Sequence, residues 1–452
     1  MGELFGTDGA RGIANQELTP EIAFKLGRAG SYVLSREITR PRILVGRDTR
    51  ISGDMLESAL VAGICSVGAD VLKAGVIPTP GVAYLTQKYQ ASCGVVISAS
   101  HNPVEYNGIK FFGAQGYKLP DEVEDEIERL VFNQEEISSR PEGGDIGRVY
   151  DLDKAEQNYL NLLMRCYRGT KDLSGLTVVV DCANGAAYEV APQMWEEMGA
   201  RVIPIHNQPN GLNINERCGS TYPGALRRAV LEHHADLGIA YDGDADRVVA
   251  VDERGTVIDG DYIMVICGLH LRRSALLSPP KIVTTVMSNI GLDIAFRREK
   301  VEVLSSQVGD RYVLEKMQET GARLGGEQSG HIIFLDYATT GDGLLSSLKL
   351  AEVMRETGLP LSALAREMEQ YPQVLINLDI KDKDSILNSV EIKETVRQAE
   401  EKLGEWGKVL VRPSGTEPKI RIMAQGPDEF LLQEVVNEIK AAVLKFSGRE
   451  ES

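Results

Sequence analysis

Short apolar runs rich in β-branched residues alternate with amphipathic stretches of helix length over most of the chain, and few folds accept that alternation. Repeated strand–helix–strand units bury their apolar faces as α/β layers. Residues 43–46, 93–98 and 109–112 read as strands, and 53–68 as a helix with Leu56, Leu60 and Ile64 on one face. The acidic helix expected at 121–130 presents a solvated face. A second set has strands at 176–181, 201–206 and 236–241 and a helix at 186–198. A third has a strand at 282–286 and a helix at 343–355. The last stretch differs in type. Strands at 408–411 and 419–423 flank a Pro/Gly loop, and 428–446 repeats Leu431, Val435, Ile439 and Val443 at i, i+4 spacing. Turn-rich residues at 138–145 and the pair Tyr371-Pro372 mark boundaries. The expected organisation is α/β: three similar mixed domains at 1–150, 151–253 and 254–370, then a smaller α+β domain at 371–452.

Charge narrows the function. With 452 residues and a net charge of −17, the chain lacks the basic surface that nucleic acid or an anionic membrane demands, so neither is an expected partner. No apolar run approaches the ~20 residues of a membrane span. The N-terminus has no basic n-region or apolar h-region. Cysteines at 65, 93, 166, 182, 218 and 267 form no Cys-x-x-Cys pair, so reduced thiols in a cytoplasmic protein are expected.

Five motifs carry chemistry. Asp242-Gly243-Asp244-Ala245-Asp246-Arg247 follows an apolar strand. Its small residues let the three carboxylates converge, and their repulsion calls for a divalent cation; an all-oxygen set suits Mg²⁺. A solvated acidic turn or a calcium loop is the alternative, but Val248-Val249-Ala250-Val251 is a strand where a calcium loop would continue. Ser98-Ala99-Ser100-His101-Asn102-Pro103 ends a buried strand, where α/β proteins place ligands. Ser100 is its candidate nucleophile and His101 a proton carrier; read alone, the stretch is a turn. Lys110 is expected on a neighbouring strand, where a phosphate site can depress a lysine into a general acid or base; a plain surface lysine is the alternative. Arg412-Pro413-Ser414-Gly415-Thr416-Glu417-Pro418, with Arg421, is either a phosphate cradle or a tight hairpin. In Gly325-Gly326-Glu327-Gln328-Ser329-Gly330-His331, residues Glu327, Ser329 and His331 alternate onto one face, as sugar hydroxyls would need or as any strand edge would show. Arg11, in the loop Gly6-Thr7-Asp8-Gly9-Ala10-Arg11-Gly12, could reach a phosphate.

Together, in this order, these loops resemble the signature loops of the α-D-phosphohexomutase superfamily, and the likeness runs from Gly6 to about Met423. The resemblance implies four domains around a central cleft, one Mg²⁺ per subunit and a homodimer. It implies that Ser100 carries a phosphoryl group and that Asp242, Asp244 and Asp246 hold the metal with a phosphoserine oxygen. Arg247 would lie beside the metal, with Lys110 and His101 near the transferring proton. Glu327, Ser329 and His331 would meet the sugar, and Arg412, Ser414, Gly415, Thr416 and Arg421 the non-reacting phosphate. Gln328 and the stretches Tyr106-Asn107-Gly108-Ile109-Lys110 and Val308-Gly309-Asp310-Arg311 are similar to the bacterial subgroup acting on glucosamine phosphates, which feeds UDP-N-acetylglucosamine and cell-wall precursor synthesis. Tyr222 departs from that subgroup, where His is usual, but lies outside the signature loops. Glucose or mannose phosphates are the close alternative substrates; a phosphatase and a catalytically silent sugar-phosphate binder are the distant ones.

Overall fold

The computed structural model describes residues 4–6, 8–36, 38–133, 137, 140–380, 383–413 and 419–447. They form two compact units, one of Met1–Thr285 with Leu304–Arg366 and one of Val286–Val303 with Glu367–Ser452.

The first unit opens with a seven-stranded sheet in the order Phe5–Gly6, Gly9–Ile13, Tyr106–Gly113, Cys93–Ile97, Arg42–Arg47, Asp70–Val76, Val149–Asp151. Its central strand, Cys93–Ile97, is buried at every position, which explains its unbroken apolar sequence. That strand runs parallel to Arg42–Arg47, so both deliver their polar continuations, 48–50 and 98–103, to the same edge of the sheet. Tyr106–Gly113 pairs antiparallel to it and places Lys110 opposite Val96. The helices Pro20–Leu34 and Ser52–Cys65 supply Leu26, Leu56, Leu60 and Ile64 to one core with Val95 and Phe111. Pro20 occupies the first turn of the first helix, and Thr19 caps it by accepting the Ile22 N–H.

A five-stranded sheet follows, ordered Val257–Ile258, Val248–Asp252, Leu237–Tyr241, Thr177–Asp181, Arg201–Ile205. Leu237–Tyr241 and Val248–Asp252 are antiparallel partners, so the acidic residues 242–247 form the tip of a hairpin. The helix expected from residue 186 begins only at Val190. The preceding residues turn instead, with Ala183 and Asn184 at φ 53° and 48°. That turn brings Gly185 so close to Gly243 that a Cβ there would stand 2.4 Å from the Gly243 carbonyl. In a third sheet, Lys281–Thr285 is parallel to Leu324–Gly326, which pairs antiparallel with Ile332–Phe334.

The second unit contains a three-stranded antiparallel sheet, Gln373–Asp379, Lys419–Gln425 and Lys408–Pro413. Helices Val390–Leu403 and Glu429–Phe446 pack on it through Ile392, Ala399, Leu432, Val435, Ile439 and Val443, against Ile420 and Ile422. This is the α+β arrangement expected of the last region. Among the described residues no helix is long and apolar enough to cross a membrane, and the six cysteines are free thiols.

Candidate active site

Ser100 leaves its strand in the left-handed region, at φ 51°, where a residue with a Cβ is uncommon. Its side chain is buried. The hydroxyl donates to Asp242 Oδ2 at 2.6 Å and stands 3.2 Å from His101 Nδ1. Burial, with Arg247 and Arg11 nearby, lowers the His101 pKa to about 4, so its imidazole is neutral at ordinary pH.

The acidic hairpin tip meets this serine. Oxygen atoms of Asp242, Asp244 and Asp246 lie within 4.8 Å of one another, and all three side chains are buried. Gly243 permits the approach: a Cβ there would meet the Ser100 carbonyl at 2.5 Å. Burial, and then the Asp246 and Asp244 carboxylates, push Asp242 well above the usual carboxylate range. Burial and Asp244 likewise raise Asp246. Burial would raise Asp244 as well, but Lys110 and the Thr79 hydroxyl, 2.7 Å away, outweigh it and bring Asp244 to about 2. Asp244 Oδ1 and Asp246 Oδ1 have no hydrogen-bond partner among the described residues. Buried carboxylates with open lone pairs and raised proton affinity are what a divalent cation would relieve, so this residue set fits a hard, oxygen-bound metal.

Lys110 is 2% exposed and reaches Asp244 at 3.2 Å, Asp8 at 3.3 Å and Asp246 at 3.9 Å. The plain surface lysine is set aside by this burial, and the carboxylates here oppose the depressed pKa that a phosphate site can give. Burial would lower its pKa, but the Asp244, Asp8 and Asp246 carboxylates outweigh burial and hold it above the usual lysine range. Asp8 also pairs with Arg11 and with Lys118, and Lys118 continues to Asp310. Arg247 gives its backbone N–H to Asp242 Oδ1 at 3.2 Å and sets its Nε 3.9 Å from Asp246. The Nε atoms of Arg11 and Arg247 are buried with no hydrogen-bond partner among the described residues.

The glycine-rich loop adjoins the acidic tip through the Val248 N–H, which donates to the Gly330 carbonyl at 3.1 Å. The expected single face of Glu327, Ser329 and His331 does not form. Gly330, at φ 92°, reverses the chain, and Glu327 and His331 pair across the turn. Glu327 accepts the Gly309 N–H at 3.0 Å, while Ser329 is exposed. The His331 ring is buried and takes the Gly341 N–H on Nε2 at 3.2 Å. Gln328 donates its side-chain amide to Asp259 Oδ2 at 3.0 Å; Asp259 caps the helix Gly260–Arg273. The residue that pointed to amino sugars thus braces a helix start.

In the second unit, Arg412 and Arg421 are direct partners on neighbouring strands, a guanidinium pair suited to a phosphate. Ser414, Gly415 and Thr416 lie outside the described residues. Sequence reasoning missed Asp8, Asp48, Arg50, Thr79, Lys118 and Asn215. Asp48 and Arg50 had a usable signal, a charged pair just past a buried strand, at the same sheet edge as the serine motif. In a second clustering, of Asp181, His206 and Cys218, the carboxylate oxygens are already engaged. Asp181 already accepts the Ala183 and Gly219 N–H groups and lies 3.1 Å from His206 Nδ1.

Four family models cover nearly the whole chain. The phosphoglucomutase/phosphomannomutase alpha/beta/alpha domains I, II and III match residues 2–138, 157–255 and 259–371, and the C-terminal domain of that family matches 375–442. The chain is 66% identical over 445 residues to a phosphoglucosamine mutase of Syntrophomonas wolfei, covering 98% of this chain and 99% of that one. A phosphoglucomutase/phosphomannomutase family protein from Burkholderia thailandensis superposes with a TM-score of 0.82 at 23% identity, covering 99% and 98% of the two chains. Aspergillus fumigatus N-acetylphosphoglucosamine mutase, solved in complex with GlcNAc-6P and magnesium, superposes with a TM-score of 0.69 at 16% identity, covering 98% and 96%.

Proposed function

We propose that this chain, which belongs to the phosphoglucosamine mutases of the phosphoglucomutase/phosphomannomutase family, interconverts glucosamine 6-phosphate and glucosamine 1-phosphate through a phosphorylated Ser100. One observation carries the reading: a buried serine hydroxyl donates at 2.6 Å into a three-carboxylate pocket with open lone pairs. A serine that attacks an acyl group relies on an oxyanion hole, whereas one that takes up a phosphoryl group is served by a cation pocket of this kind.

The free hydroxyl oxygen of the sugar phosphate bonds to phosphorus as the P–Oγ bond of phosphoserine 100 breaks. The hydroxyl proton passes to neutral His101 and on to Ser100 Oγ, 3.2 Å from Nδ1. The product is hexosamine 1,6-bisphosphate. It turns end for end, and the reverse step returns its other phosphoryl group to Ser100. A divalent cation held by Asp242, Asp244 and Asp246, Mg²⁺ by the all-oxygen set, supplies charge withdrawal from the phosphoryl oxygens. Arg11 and Arg247 bring buried guanidinium donors to the same place. Charged Lys110 braces the carboxylates, and Glu327 with Ser329 contacts the sugar hydroxyls. Arg412 and Arg421, with Ser414, Gly415 and Thr416, take a phosphate. The reading carries with it a homodimeric cytoplasmic enzyme, which six free thiols suit.

Gly243→Ala should force the acidic tip off the serine loop and lower kcat about 100-fold, the scale of a 1 Å misplacement. Steady-state assay checks this, and an unchanged kcat would show that the close approach is unnecessary. The substrate is tested by comparing kcat/KM for glucosamine, glucose and mannose 6-phosphates, each with a trace of bisphosphate activator. Glucosamine is expected to lead; equal values for the three would remove the amino-sugar assignment and leave a general phosphohexomutase.

A further inference from the structure

Arg50 has no part in the steps above, yet its side chain is 0% exposed. Burying a guanidinium is costly unless every donor is met, and here the donors converge on one target. Nε meets Asp48 Oδ2 at 2.8 Å. Nη1 donates to the carbonyls of Pro103 and Tyr106, and Nη2 to those of Ser100 and Asn102, the last two at 3.0 and 2.8 Å. Four carbonyls, three of the serine loop and one of the first residue of the strand that follows it, are therefore aimed at one planar fork, a geometry that a lysine cannot reproduce.

Asp48 balances the charge and extends the contact. Ser98 Oγ donates to Asp48 Oδ2 at 2.6 Å and accepts the Ser100 N–H at 3.0 Å. From another side, Asn215 Nδ2 donates to the Ser100 and Asn102 carbonyls at 2.8 and 3.1 Å. Both backbone polar groups of Ser100 are thus held by side chains rather than by a neighbouring strand. The residue they hold sits at φ 51°, a conformation that persists only where its surroundings over-determine it.

We infer that Arg50, with Asp48 and Ser98, is the positioning device that keeps Ser100 in its reactive backbone conformation, setting the rate of phosphoryl transfer rather than the affinity for substrate. The inference rests on the reading of Ser100 as phosphoryl carrier. A merely structural role would change the melting temperature and the fraction of active molecules, but not the rate per active site.

The test uses the full chain with Arg50→Lys and Ser98→Ala. Rapid-quench phosphorylation of Ser100 by a hexose 1,6-bisphosphate counts active sites by its amplitude and reads positioning by its rate. Arg50→Lys should slow that rate and kcat about 100-fold at normal amplitude, with KM within about twofold. Ser98→Ala leaves the guanidinium in place and should slow them about tenfold. If Arg50→Lys does not fold, Ser98→Ala decides alone. Reduced amplitude with a normal rate per site, or a raised KM with normal kcat, overturns the inference. A Ser100→Ala enzyme that still turns over sinks the carrier reading itself. An inert Ser100→Ala beside normal Arg50→Lys and Ser98→Ala sinks only the positioning role.

Discussion

Ser100→Ala is expected to lower mutase turnover by more than about 10³-fold, the scale of losing a covalent nucleophile. The fold should survive. Among the described residues the hydroxyl hydrogen-bonds only to Asp242 and His101, while the loop backbone is held by Arg50, Ser98 and Asn215, none of which the substitution touches. The melting temperature should therefore stay near wild type and the divalent cation should still bind. Steady-state assay, a melting curve and calorimetry read the three quantities. Near-normal turnover would remove Ser100 from the reaction, and a collapsed melting curve would leave the loss of activity without a chemical meaning.

Asp244→Asn should weaken divalent-cation binding by at least about 100-fold, since even neighbours of metal ligands commonly cost 10–100-fold. Asp244 is the member of the triad with the lowest proton affinity, because Lys110 and Thr79 hold its charge. Replacing it removes the carboxylate that is most fully ionised and leaves Lys110 with fewer partners. Turnover should fall with cation affinity. Added Mg²⁺ should raise the melting temperature of wild type but not of the variant, by the ordinary linkage of ligand binding to stability. A variant that still binds Mg²⁺ at wild-type affinity would move the metal away from this loop.

The elements were legible where a single pattern ruled them. Cys93–Ile97 and Leu237–Tyr241 are buried at every position, and their apolar runs say so. The acidic tip was legible because three carboxylates at alternate positions have few other uses. Where tertiary geometry decides, sequence spacing misled. Glu327, Ser329 and His331 share a parity, but Gly330 turns the chain between them. Lys110 looked open to a depressed pKa because its motif shows none of the carboxylates around it; Asp8, Asp244 and Asp246 come from remote parts of the chain. Gln328 marks a likeness to one subgroup, while its amide serves Asp259. The helix expected from residue 186 gives up its first turn so that Gly185 can reach Gly243. Arg50 was the largest omission. A charged pair past a buried strand marks that sheet edge, but the four carbonyls turned toward Arg50 come together only on folding.

The central claim is that Ser100 carries the phosphoryl group between the two positions of the sugar, and its fate in a single turnover tests that most directly. Enzyme labelled on Ser100 from a labelled bisphosphate, freed of excess reagent and mixed with unlabelled glucosamine 6-phosphate, should transfer the label to sugar within one turnover time, with no label released as inorganic phosphate. The labelled peptide should contain Ser100 and should disappear at the rate of kcat. Label that stays on the protein while product forms, or that leaves as inorganic phosphate at the turnover rate, would contradict the account.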